Sequence, residues 1–192
     1  MHEPYRTLLG HFRHEVGHYY WNRLVRHTAW LEQFRVRFGD ERNDYASALQ
    51  RHYDQGPLPD WPQYFVSAYA STHPWEDWAE TWAHYLHMAD TVDTALSFGL
   101  RGDGLMVEMQ PFGPEALDVP DDPGASPFLG LVNAWMGLST LLNELSRSMG
   151  QPDFYPFVLS QPAVAKLHFV HRVVSDAMAI ESARTTAPGR AT

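Results

Sequence analysis

The chain has 192 residues, enough for one domain and a short tail, and 44% of them are hydrophobic, enough for a real core. A net charge of −9 argues against a nucleic-acid footprint and offers nothing to an anionic membrane surface, so neither partner is expected. There is no cysteine to form a disulfide, no run of eighteen apolar residues, and no basic or apolar start at Met1-His2-Glu3-Pro4; a soluble cytoplasmic protein is the expectation.

Pro4 to about Phe38 reads as one long helix, because Leu8, Leu9, Phe12, Val16, Tyr19, Tyr20, Leu24 and Val25 recur at helical spacing with no internal proline. Gly39-Asp40 ends it. Asp44 to about Tyr53 is a shorter helix closed by Gln55-Gly56-Pro57. Leu58 to Ser71 reads as an ordered loop with a short extended piece at Tyr64-Phe65-Val66. Pro74 then opens a helix in the first-turn position that proline favours, and Gly99 stops it. Arg101 to Ala125 is rich in Gly, Pro and Asp, with one short strand expected at Leu105-Met106-Val107. Ser126-Pro127 starts a helix ended by Gly150, and Gln161-Pro162 starts the last, to about Met178. The pattern predicts a mainly α fold, a single domain over 1–179 with little or no sheet, and a disordered tail over 180–192.

The sequence His14-Glu15-Val16-Gly17-His18 is the chain's most informative feature. Two histidines four apart lie one turn apart on one helix face, so both imidazoles can hold one metal ion. Glu15 then projects toward the metal's open position, where it can take a proton from a water whose pKa the metal has lowered. With 11 histidines in the chain, a solvated His-rich face is the competing explanation. His11, one turn before His14, reads as a rim histidine.

Two histidines do not complete a catalytic zinc site, which takes three protein ligands and one open position. The residues after His18 do not supply the third. On a helical wheel of the Pro74 helix, Glu76, Glu80, His84 and His87 fall in one quadrant, opposite Trp78, Trp82 and Tyr85. Carboxylates four apart suit one as metal ligand and the other as acceptor of a ligand histidine's second N–H. Glu76 as ligand with Glu80 as orienter is favoured; the reverse order makes Glu80 the ligand. The tryptophans at 75, 78 and 82 read first as core. Lys166, His168, His171 and Arg172 read as a solvated basic face, and Asp118, Asp121 and Asp122 do not form a calcium loop.

Residues 8–21 (LLGHFRHEVGHYYW), 75–87 (WEDWAETWAHYLH) and 155–160 (YPFVLS) resemble the bacterial zinc-binding metallopeptidases of the glutamate-zincin type. The resemblance runs to about Met178 and implies peptide-bond hydrolysis with one zinc per chain and a peptide or protein substrate of unspecified sequence. Zincins with Glu-x-x-Ala-Glu on the second helix use the first Glu as ligand, which matches Glu76. Some place a tyrosine about two turns upstream to stabilise an oxyanion, a role that falls to Tyr69, with His73 as a weaker competitor. Family members carry a cysteine-rich ribbon and a further stretch ahead of the motif helix, and zincins set a substrate-aligning strand there; here thirteen residues precede His14. Were these 192 residues the whole protein, zinc binding with weak or no turnover of generic peptides is expected. A non-catalytic, zinc-stabilised helical module is the alternative. A di-iron bundle fails for want of a second Glu-x-x-His pair.

Overall fold

The structure is a computed structural model and describes residues 7–100 and 109–186. Those residues are mainly helical and contain no strand. Six helices follow in chain order: α1 (Leu8–Leu24), α2 (Trp30–Phe38), α3 (Tyr45–Gln55), α4 (Pro74–Ser97), α5 (Ala125–Ser148) and α6 (Gln161–Thr186). Residues 64–66 form no strand; they lie in the turn between short 3-10 segments at Trp61–Gln63 and Tyr69–Thr72. The strand expected at 105–107 lies outside the described residues.

The fold is arranged around α4, which packs against α1, α2, α5 and α6. Its start is set locally. His73 precedes a proline and is therefore extended (φ −158°, ψ 147°), and its Nδ1 accepts the Trp75 N–H at 3.1 Å as N-cap. A helix buried on every side is a core helix. Trp78 is the hub of an aromatic cluster with Phe34, Phe38 and Phe169, ring centroids 5.9–6.2 Å apart. Trp78 and Trp82 are core, as expected.

The single helix expected over residues 4–38 is two. Thr28 Oγ1 donates to the Leu24 and Val25 carbonyls at 2.8 and 3.1 Å and accepts the Trp30 N–H at 3.2 Å. One hydroxyl thus closes α1 and opens α2, the side-chain competition with backbone that β-hydroxy residues provide. The buried face of α1 also departs from the apolar periodicity: it is Gly10, His14, Gly17 and Trp21. Leu8, Leu9, Phe12 and Tyr19 are exposed, because the histidines are turned toward α4.

α5 is long and apolar enough to cross a membrane by composition, which the count of apolar runs did not register. Here it turns Phe128, Val132, Trp135 and Leu138 into the core. The Asn143 side chain holds the Tyr155 backbone through two bonds of 2.8 Å, which seats Tyr155 on Trp135. α6 continues through Thr186, so residues 180–186 of the expected tail are helical; the rest of it lies outside the described residues.

The solvated basic face expected on α6 is a correction. Lys166 is buried and donates to Asp77 Oδ2 at 2.6 Å and to the Tyr64 carbonyl at 2.9 Å, with its ammonium 4.0 Å from the Phe65 ring centroid. His168 is fully buried. Arg172 pairs with Asp118 at 2.6 Å and Asp122 at 3.3 Å, which gives two of the acidic loop residues their structural role. A charged helix face is therefore consumed internally, tying α6 to α4 and to the 109–124 segment.

Candidate metal centre

α1 brings His14 and His18 to the N-terminal turns of α4, where Glu76 is buried. Their ligand atoms lie within 4.8 Å of one another. His14 Nε2 is 3.0 Å from Glu76 Oε2, His18 Nε2 is 3.5 Å from Glu76 Oε1, and the two Nε2 atoms are 3.1 Å apart. A tetrahedral zinc with bonds of about 2.0–2.1 Å has ligand–ligand edges of about 3.3 Å. The two imidazole nitrogens match that spacing and the Glu76 carboxylate presents one oxygen to each of them, so the residues fit the metal.

The hydrogen bonding agrees. Glu80 Oε1 lies 2.7 Å from His14 Nδ1, and Ser67 Oγ donates to Glu80 Oε2 at 2.6 Å. Ser67 Oγ is itself fixed by accepting the Ala70 N–H at 3.2 Å. With Nδ1–H directed at Glu80, the His14 Nε2 lone pair is the one facing Glu76 and His18. Glu76 Oε2 is buried with no aligned hydrogen-bond donor although His14 Nε2 is 3.0 Å away. Two lone-pair atoms facing a common point at that distance is an arrangement a cation resolves. Without the cation a proton resolves it: burial works against an imidazolium at His14, but Glu76 and Glu80 together outweigh it and hold His14 at about 9. Burial likewise opposes ionisation of Glu76, and His14 and His18 overcome it, bringing the carboxyl to about 2. Glu76 is thus ionised at neutral pH, the form in which a carboxylate can hold a cation.

Around these donors stand Tyr45, Tyr69, Trp75 and Glu15. Tyr45, the first residue of α3, donates its hydroxyl to Glu76 Oε1 at 3.0 Å. The Tyr69 ring lies 5.9 Å from the His14 ring. Burial and the nearby Glu76 charge push both phenols up, Tyr45 to about 12 and Tyr69 further, so both stay neutral. The Trp75 ring lies 4.1 Å from that of His18. Glu15 is exposed, with His11 Nδ1 3.8 Å from its carboxylate. His73 is occupied as the α4 cap and bonds the Asn43 carbonyl at 3.0 Å, which accounts for it structurally. His84 and His87 point elsewhere: His84 Nδ1 is 2.6 Å from the Tyr155 hydroxyl, and His87 Nδ1 is 2.7 Å from Arg13.

The structure therefore brings together His14, His18, Glu76, Glu80 and Tyr69, with Glu76 facing the donors and Glu80 behind His14. The sequence reading missed Tyr45 and Ser67, which come from 31 residues before Glu76 and 13 before Glu80. The nearest signal was Asp44, whose carboxylate caps α3 at Ser47 N and so fixes where Tyr45 starts the helix.

The family described as "Putative zinc-binding metallo-peptidase" matches residues 1–173. The chain belongs to that family. Its relatives include the uncharacterized proteins Rv2568c and MT2644 of Mycobacterium tuberculosis (strains H37Rv and CDC 1551) and Mb2598c of Mycobacterium bovis. Each is 46% identical over 177 residues, which is 92% of this chain and 49% of the relative. The chain thus spans about half the length of these relatives. No solved structure matches it significantly.

Proposed function

We propose that this chain carries the zinc centre of a metallopeptidase, with His14, His18 and Glu76 as ligands and Glu15 as general base. The observation that supports it most is the convergence of the two imidazole nitrogens, 3.1 Å apart, on the Glu76 carboxylate, whose oxygens lie 3.0 and 3.5 Å from them, beside an exposed Glu15. A zinc ion held there supplies Lewis-acid polarisation and a water acidic enough to deprotonate near neutral pH. Glu15 accepts one proton of the attacking water, whose oxygen bonds to the peptide carbonyl carbon. The C–N bond then breaks as Glu15 returns that proton to the leaving nitrogen, giving an amine and a carboxylic acid, which releases its own proton to solvent near neutral pH. The neutral Tyr69 hydroxyl donates to the carbonyl oxygen as it gains negative charge. Glu80 holds the His14 ring and Tyr45 holds the Glu76 carboxylate. Phe12 and Tyr19, one turn either side of Glu15, are exposed, so the base lies on an open apolar face that a peptide can cover.

The test is Glu15→Gln. The change is nearly isosteric and removes only the base, so zinc content should stay at the wild-type level while peptide hydrolysis falls below detection. Loss of zinc in this variant would make Glu15 a ligand or a structural group. A second reading keeps the metal and drops the hydrolysis: no strand among the described residues offers an edge to align a peptide backbone. Positioning of this kind is worth on the order of 7–11 kcal/mol of barrier in favourable cases. Zinc-dependent turnover of casein by the 192-residue chain would eliminate that reading.

A further inference from the structure

A cleft of about 600 Å³ opens beside the metal centre, and Tyr45 and Trp75 belong to both. Trp21, Leu31, Tyr45 and Trp75 give it an apolar wall, and three guanidiniums, Arg26, Arg35 and Arg42, also line it. Two of those are already neutralised. Arg35 is held by Glu41 at 2.6 and 3.0 Å and by Glu32 at 2.7 Å; Arg42 is held by Asp40 at 2.7 and 2.8 Å. Arg26 has no carboxylate within ion-pair distance among the described residues; its side chain donates to the neutral Asn22 Oδ1 at 3.2 Å. In a chain of net charge −9, Arg26 is thus an uncompensated cation on an aromatic-walled cleft. A guanidinium presents a planar fork that matches a carboxylate in two parallel bonds, and the wall accommodates the apolar stem that carries it.

We propose that this cleft is a subsite for a carboxylate-bearing residue of a peptide, with Arg26 as its specificity-determining group. The carboxylate is either an acidic side chain or the peptide's own C-terminus. The proposal rests on the metallopeptidase reading for the identity of the molecule that brings the carboxylate. Its geometry rests on the cleft alone. Arg26 lies in the turn directly after α1, eight residues beyond His18, so the helix that carries His14 and His18 leads straight into the subsite.

The experiment titrates the zinc-loaded Glu15→Gln chain, and the same chain after chelation, with three acetylated pentapeptides. One has a central glutamate and an amidated end, one a central glutamine and an amidated end, and one a central glutamine and a free terminal carboxylate. Tryptophan fluorescence reports binding, since Trp21 and Trp75 form the wall. The expected result is that at least one carboxylate peptide binds about fivefold more tightly than the neutral one, the size of a good exposed charge pair. Which of the two does so identifies side chain or terminus. Arg26→Gln should erase the preference and Arg26→Lys should keep part of it. Equal affinity for all three peptides, no saturable binding, or a preference untouched by Arg26→Gln would overturn the proposal. Zinc content measured on the same samples separates the two readings. A chain that shows the preference but takes up no zinc when loaded would sink the metallopeptidase reading and leave the subsite; zinc uptake without preference would sink the subsite alone.

Discussion

Glu76, Asp77 and Glu80 are three carboxylates within two turns of α4, the first two buried and the last half-buried, and each is made tolerable by a different partner. Glu76 faces two imidazoles, Glu80 takes the His14 Nδ1–H and the Ser67 hydroxyl, and Asp77 takes the Lys166 ammonium. The third is the most exposed to test. Burial pushes the Asp77 carboxyl up, to about 6, with Lys166 holding it back, so it is ionised at neutral pH only in company. Removing one member of a buried pair leaves an uncompensated charge, at a cost of about 3–5 kcal/mol. Lys166→Met should therefore lower the urea unfolding free energy by about that much, and adding Asp77→Leu should recover most of it. A loss under about 1 kcal/mol for the single variant would show that the pair holds nothing. Because Lys166 also grips the Tyr64 carbonyl, the single variant should loosen the segment that carries Ser67 and Tyr69.

At the level of elements, the crossing of α1 over α4 decides whether the ligands meet. It is close because Gly17 stands at the crossing: a Cβ there would lie 3.1 Å from the Ala79 Cα and 3.2 Å from the Trp82 Cβ. The Gly17 carbonyl also accepts the Trp78 indole N–H at 2.9 Å. Helix backbone does not yield as a side chain does, so Gly17→Ala should cost about 1–3 kcal/mol in denaturant unfolding and weaken zinc as the helices part. An unchanged midpoint would mean the crossing is looser than described. This glycine lies inside the histidine motif, and the motif itself was legible because its chemistry demands four-residue spacing. The α4 boundaries were legible because Pro74 and Gly99 act locally. The choice of Glu76 over Glu80 followed from helix geometry together with the resemblance. What stayed hidden depended on contacts between distant residues. Tyr45 and Ser67 reach the site only once α3 and the 61–72 segment fold over it. Lys166 looked solvent-facing because nothing near it in sequence reveals Asp77, 89 residues away. The break at Thr28 needed the direction of one hydroxyl, which spacing does not encode.

For the whole molecule, the core holds several neutral histidines and this gives folding a pH dependence. Burial pushes His84 to about 4 and His87 to about 3, with Arg13 adding to the latter; it pushes His168 to about 4 and His171 down as well. The unfolded chain binds protons at these sites near 6.5, the folded chain does not. Their stabilising contribution is thus full above about 6.5 and is lost as the pH falls toward 4. His14, raised to about 9, contributes constantly below 6.5, and Asp77, raised to about 6, acts in the opposite direction alone. The urea midpoint of the chelated protein should fall steadily from pH 7 to pH 5; a level or rising midpoint would contradict this assignment. The claim on which the functional account turns is the metal. Zinc analysis of the purified chain beside its Glu76→Ala and Glu80→Ala variants tests it most directly. The account predicts one zinc per chain, lost in Glu76→Ala and retained in Glu80→Ala with affinity weakened about 10–100-fold. A wild-type chain that binds no zinc, or a Glu76→Ala variant that holds it as tightly as the wild type, would contradict the account.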